Sequence, residues 1–262
     1  MRRRAPGLVP AALATGAVAL VVLPLAGLLQ RAPWSSLGTE VRAHDAAVAL
    51  RLSLVTSVGA LGVSVLLGVP LAWVLARRSF PGRSVIRALV TLPMVLPPVV
   101  SGIALLYAFG RRGFAGHVLY DLTGWRLVFD TSGAILAEAF VAMPFLIVTA
   151  EAAFRSMDRR TEEAAATLGA GPAYRFRRVT LPAVAPALAA GAALTWARAL
   201  GEFGATITFA GNLPGRTQTT PLLVYLDIES GHEGTALALS LVLLAVSLAV
   251  LVGLRDRWLG TT

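Results

Sequence analysis

Thr161-Glu162-Glu163-Ala164-Ala165-Ala166-Thr167-Leu168-Gly169-Ala170-Gly171-Pro172, followed after six residues by Val179-Thr180-Leu181-Pro182, is a polar stretch between two long apolar segments. Six arginines accompany it: Arg155, Arg159, Arg160, Arg175, Arg177 and Arg178. The pattern predicts two short helices. Thr161 is a candidate N-cap for the first, with Glu162 and Glu163 favourably placed near its positive end. Gly169 is expected to end that helix, and Pro172 suits an early position of the next. A chain this apolar keeps so regular a loop where another molecule docks. Glu163, Ala164, Ala165, Gly169, Leu181 and Pro182 are the candidate docking residues.

The composition narrows what surrounds this loop. Of 262 residues, 56% are hydrophobic and only 14% charged, with a mean hydropathy of +0.73. These values point to several membrane spans rather than to a water-soluble domain. Cysteine is absent, which excludes disulfides, thiolate chemistry and cysteine-based metal sites. All 23 basic residues are arginine. Without lysine the chain cannot form a standard phosphate-binding P-loop, so any ATP-driven process needs a nucleotide-binding partner. The net charge of +9 does not indicate nucleic acid, because the arginines lie beside apolar segments, as membrane orientation signals do.

Six apolar stretches approach the roughly 20 residues needed to cross a bilayer: Leu8–Leu29, Leu52–Ala76, Val85–Phe109, Gly133–Phe154, Ala183–Phe209 and Thr235–Leu254. The expected fold is therefore all-α and polytopic, with about six transmembrane helices. Arg2, Arg3 and Arg4 resemble the basic start of a signal peptide. The apolar run behind them is too long, however, and no A-x-A pattern follows before Trp34, so it reads as a retained helix. Alternate loops divide the arginines unequally: 15 fall on the side of the termini and the Glu163 loop, 7 on the other, and Arg198 lies within a span. The positive-inside rule then places both termini and the loop in the cytoplasm. His44, His117 and His232 fall in the outer loops and read as solvent-exposed. The chain divides into an N-terminal helix with its outer loop (1–45), a membrane core (46–254) containing the loop at 155–182, and a cytoplasmic tail (255–262).

Two groups of residues inside the membrane are candidates for function. Pro93, Pro97 and Pro98 remove three N–H donors from the third span and must kink or break it. Such backbone is tolerated where protein packs against it or a wet cavity borders it, and both readings stay open. Pro144 predicts a second kink, and Gly59, Gly62 and Gly68 predict close helix packing. In the fifth span Arg198 and Glu202 are four residues apart and are expected to share a helix face, with Arg198 about 18 Å along the axis from Pro186. Facing lipid, each charge would cost about 2.5–3.5 kcal/mol, so the two must meet each other, a partner helix or a translocation pathway.

Three blocks together resemble the permease subunit of molybdate ABC importers. The first is the Glu163-to-Pro182 loop, similar to the element by which importer permeases of the ABC class hold their ATPase. The second is Ala197-Arg198-Ala199-Leu200-Gly201-Glu202-Phe203-Gly204-Ala205-Thr206. The third is Phe209-Ala210-Gly211-Asn212-Leu213-Pro214-Gly215-Arg216-Thr217-Gln218-Thr219, with Pro221-Leu222. Sulfate permeases carry a block similar to the second, whereas the third is closer to the molybdate branch. Leu92-Pro93 and Pro97-Pro98-Val99-Val100-Ser101-Gly102 are similar to both. Thr219-Thr220 departs from the more usual Thr-Leu before the proline.

The resemblance implies a type I ABC importer permease in a bacterial inner membrane. It implies a homodimer completed by two ATP-binding subunits and an extracytoplasmic oxyanion-binding protein, with no cofactor in this chain. ATP and Mg would sit on the partner ATPase, and the transported ion would be molybdate or tungstate. A sulfate or thiosulfate permease is the alternative within the class. An ion-driven secondary transporter is a more remote one, since it would need no docking loop. A membrane enzyme is disfavoured because no G-x-S-x-G pattern and no histidine within a span is present.

Overall fold

The computed structural model describes residues 8–259, so Arg2, Arg3 and Arg4 and the last residues of the expected tail lie outside the described residues. Among the described residues the elements are helical throughout. In chain order they are α1 (Leu8–Gln30), α2 (Leu37–Arg42), α3 (His44–Arg77), α4 (Arg83–Thr91), α5 (Pro98–Phe109), α6 (Phe114–Thr123) and α7 (Thr131–Ser156). There follow α8 (Arg159–Thr167), α9 (Pro172–Arg175), α10 (Leu181–Leu200), α11 (Gly204–Phe209), α12 (Thr220–Glu229) and α13 (Glu233–Leu259). Five helical segments among the described residues are long and apolar enough to cross a bilayer by themselves, and α4 with α5 make a sixth where the bent pair counts as one span. The first residues of the expected tail continue α13.

The core is built around α7, whose buried side chains occupy most of its circumference. Asp130 fixes its start by accepting a hydrogen bond from the Ser132 N–H at 2.9 Å. On one side Ala72 and Leu75 of α3 meet Ile147, Ala150 and Phe154 of α7 and Val184 of α10. The approach is close: a Cβ on Gly59 would come within 2.9 Å of Ile135, and one on Gly68 within 3.1 Å of Ile147. These two glycines act as expected. Gly62 does not, since nothing lies near its missing side chain. Pro144 is buried within an unbroken α7. By contrast α1 leaves Val9, Leu13, Leu20 and Leu23 exposed along its length, as a lipid-facing helix would.

Two expectations require correction, and one is borne out: the third span breaks rather than kinks, with α4 and α5 bent by 117°. Pro97 (φ −54°, ψ 135°) is extended and Pro98 begins a new helix, so neither offers an N–H to continue the old one. The fifth span is shorter than Ala183–Phe209. Helix α10 stops at Leu200, the chain turns through Gly201–Phe203, and α11 is separate. Finally, the outer connections carry helices α2, α6 and α12. His44, in the first turn of α3, and His117, on α6, are therefore helical, although exposed as expected.

Candidate functional site

The loop at 155–182 folds as two short helices, but Asp158 and not Thr161 caps the first, its carboxylate accepting the Arg160 N–H at 3.0 Å. Thr161 falls inside the first turn. Gly169 has φ +84°, a conformation that glycine adopts without strain, and it closes the turn. The Ala170 N–H then bonds to the Ala165 carbonyl at 3.0 Å. Pro172 opens α9, a wider turn spans Phe176–Thr180, and Leu181 and Pro182 begin α10. Glu163, Ala164 and Leu168 face outward, while Ala165 is half-buried. The inner side is tied down. Glu162 Oε1 accepts bonds from Arg77 Nη2 at 3.1 Å and from Thr180 Oγ1 at 2.5 Å. Phe176 also packs edge-on against Trp73 of α3, with ring centroids 6.2 Å apart.

A second anchor holds the bent third span. Glu151 of α7, nearly buried, forms an ion pair with Arg87, and Arg83 and Arg155 each lie 3.8 Å from the same carboxylate. Helix α4 is thereby fixed to α7 immediately before the proline break. Neither Glu151 nor the Arg77–Glu162 pair stands out in the sequence, because each charge lies near a span end where charges are common.

At the other end of α10, Arg198 Nη2 and Glu202 Oε2 form an ion pair at 2.6 Å. They do not share a helix face as expected. Gly201 ends α10, and Glu202 sits in the break, where its Oε1 accepts the Ala205 N–H at 2.9 Å and so caps α11. The pair is asymmetric: the Glu202 side chain is 1% exposed, that of Arg198 32%. Pro98 packs directly on this break. A Cβ on Gly204 would lie 2.6 Å from Pro98 Cβ, and one on Gly102 would lie 2.9 Å from the Ala205 carbonyl. The proline block of the third span and the Arg198 block of the fifth, a hundred residues apart, form one joint. Pro97 is exposed beside it, and Pro93 is buried one turn before.

Behind the joint lies a polar layer that the sequence analysis missed. Glu138 of α7 is 2% exposed and accepts a bond from Thr56 of α3 at 2.7 Å, while its other oxygen has no partner among the described residues. Trp196 Nε1 donates to Ser57 Oγ at 3.0 Å. Ser53 Oγ accepts the Thr220 N–H at 2.7 Å and donates to Thr220 Oγ1. These bonds link α3, α7, α10 and α12. Glu138 was detectable: a carboxylate inside the apolar run from Gly133 to Phe154 meets the criterion that singled out Arg198.

Residues 65–260, which hold both the loop and the joint, match the family described as binding-protein-dependent transport system inner membrane component. The chain belongs to this family. As an ABC transporter permease it is a multi-pass membrane protein and a transport component, not itself an enzyme, and it works in a binding-protein-dependent system. The permease is 43% identical over 246 residues to the molybdenum transport system permease protein ModB of Mycobacterium tuberculosis, covering 93% of this chain and 92% of that one. It is 42% identical over 214 residues to ModB of Escherichia coli, covering 81% and 92%. The sulfate transport system permease protein CysT of Salmonella typhimurium is 34% identical over 241 residues, covering 90% and 86%. Among solved structures, a bacterial alginate ABC transporter in complex with its alginate pentasaccharide-bound periplasmic protein superposes with a TM-score of 0.72. The match has 19% identity and covers 97% of this chain and 95% of that one, which places the fold among ABC transporter permeases.

Proposed function

We propose that this permease forms the membrane route of an ATP-driven importer of molybdate, with tungstate as a second substrate. One observation carries the reading: identity to the molybdenum permeases is 42–43% over most of the chain, against 34% to a sulfate permease. Two copies of the chain pair in a bacterial inner membrane, with both termini and the 155–182 loop in the cytoplasm. Two ATP-binding subunits, holding ATP and Mg, grip that loop, and an extracytoplasmic binding protein delivers the oxyanion.

The geometry supports a mechanical division of labour. Glu163, Ala164 and Leu168 form the docking face, and Gly169 supplies the turn that presents it. Glu162 and Phe176 fasten the loop to α3, and its end runs directly into α10. At about 1.5 Å per residue, the 20-residue α10 is a rod of about 30 Å joining the loop to the Arg198–Glu202 joint. Closure of the ATPase dimer is thereby carried to the place where the broken third span meets α11. Pro93, Pro97 and Pro98 set the break that borders the route. Arg198 and Glu202 act as a structural pair within it.

Titrating the cognate binding protein with molybdate, tungstate and sulfate, and then following uptake of each ion into liposomes holding the whole transporter, tests the assignment. Preference for molybdate and tungstate in both assays is expected. Sulfate uptake at equal or greater efficiency would assign the chain to the sulfate branch instead.

A further inference from the structure

Helix α6 packs against the end of α5 and leaves one face uncovered. Phe114, Val118 and Leu122, at i, i+4 and i+8, are 81%, 53% and 80% exposed and form a single apolar stripe. Trp125 and Tyr107 are exposed aromatics flanking the helix on its cationic side. Arg111 and Arg126 each place the guanidinium carbon 5.0 Å from the centroid of the Tyr120 ring, and Arg126 Nη2 donates to the Tyr120 hydroxyl at 3.2 Å. The nearby Asp121 is engaged by His117 at 3.2 Å. Among the described residues no carboxylate lies within 4 Å of Arg111, Arg112 or Arg126. Arg111, Arg112, Arg126 and Tyr120, together with Tyr107 and Trp125, line a cavity of about 630 Å³ beside α6, and the stripe lies outside it.

We propose that α6 lies in the membrane interface and that Arg111, Arg112 and Arg126 bind the phosphodiester headgroup of an anionic phospholipid, with Phe114, Val118 and Leu122 in its acyl layer. A helix with an apolar stripe, flanking aromatics and unpaired guanidiniums matches the chemistry of that boundary. Helix α6 follows α5, half of an apolar bent pair, after only four residues, so the apolar phase nearest to its exposed stripe is the bilayer rather than a water-soluble partner. Planar guanidiniums suit phosphate oxygens, and stacking on Tyr120 restrains two of them before any ligand arrives. Consistent with an electropositive basin, the hydrogen bond from Arg126 and the charges of Arg126 and Arg111 hold the Tyr120 phenol below its ordinary pKa. The site depends on the chain spanning a membrane and not on which oxyanion it carries.

Two measurements test it on the complete transporter. In the first, delipidated complex is titrated with phosphatidylglycerol or phosphatidylcholine and followed by native mass spectrometry. Phosphatidylglycerol is expected to bind roughly tenfold more tightly. Combined Arg111→Gln, Arg112→Gln and Arg126→Gln should erase that preference while leaving basal ATP hydrolysis unchanged. In the second, which requires only one exposed substitution, Val118→Cys in this cysteine-free chain is spin-labelled and the complex placed in phosphatidylglycerol liposomes. Collision with dissolved oxygen, and protection from a water-soluble nickel chelate, is the expected result. Equal retention of both lipids by the unaltered complex, or a label open to the nickel chelate, would overturn the proposal. So would displacement of phosphatidylglycerol by equimolar inorganic phosphate or molybdate, which would mark a free-anion site. Loss of binding-protein affinity with lipid preference intact would make the surface a protein dock, and the proposal would again fail.

Discussion

Glu162 Oε1 lies 3.1 Å from Arg77 Nη2, so a residue of the loop at 155–182 is bonded to the last turn of α3. Both side chains are largely shielded, and the same oxygen also holds Thr180 at the base of α10. One carboxylate thus ties the loop to two spans at once.

Removing this tie should loosen coupling more than it harms folding. Glu162→Gln keeps an acceptor for Thr180 but weakens the charge-assisted bond to Arg77, a loss of about 1–2 kcal/mol. The expected result is a complex that assembles and hydrolyses ATP but moves several-fold less molybdate per ATP. Arg77→Gln should behave alike, and the two together should be no worse than either alone. Additive losses in a double-mutant cycle would show that the pair does not act as a unit.

Gly169 and Glu163 should fail for different reasons. At φ +84° any side chain at 169 is strained, so Gly169→Ala should cost about 1 kcal/mol of local stability, and Gly169→Pro should abolish the turn. Glu163 is exposed, so Glu163→Arg should leave the melting temperature unchanged and still prevent co-purification of the ATPase subunit. Normal uptake by Gly169→Pro or Glu163→Arg would remove the docking assignment.

The asymmetry of the Arg198–Glu202 pair predicts unequal single substitutions. Arg198→Gln strands a fully buried carboxylate and should cost about 3–5 kcal/mol. Glu202→Gln leaves behind a partly exposed guanidinium and retains an acceptor for the Ala205 N–H, so it should cost less. The double change should recover much of the loss, as read from thermal unfolding of the purified permease. Native stability of Arg198→Gln combined with lost uptake would instead give Arg198 a direct contact with the anion.

Gly204→Ala tests the joint between the third and fifth spans. Its Cβ would lie 2.6 Å from Pro98 Cβ, a ring that has no alternative rotamer to withdraw into. A destabilisation of about 1–3 kcal/mol is expected, with slowed transport in whatever protein folds. Gly201→Ala, where the nearest atom is 3.7 Å away, is the control and should be near neutral.

The proposed orientation is directly measurable because the chain carries no native cysteine. Arg216→Cys should react with an impermeant maleimide in intact cells, and Arg159→Cys should react only after permeabilisation. The opposite pattern would invert the topology and leave the loop facing away from any ATPase.

The sequence by itself determined the all-helical membrane fold, the approximate spans and the two-helix form of the loop at 155–182. Each of these follows from short-range properties: apolar run length, the conformational freedom of Gly169, and the missing N–H of Pro98 and Pro172. What it did not fix were endings and meetings. Whether Gly201 interrupts a helix or is carried through it depends on what packs there, and only the tertiary structure set Pro98 against Gly204 and drew Glu202 into the cap of α11. The 117° break at Pro97–Pro98 likewise needed α11 and α7 to receive its two halves. Arg77 and Glu162 are 85 residues apart, and no local pattern joins them. Propensity and hydropathy act over a few turns of chain, whereas a buried ion pair forms only where the whole bundle brings its two charges together.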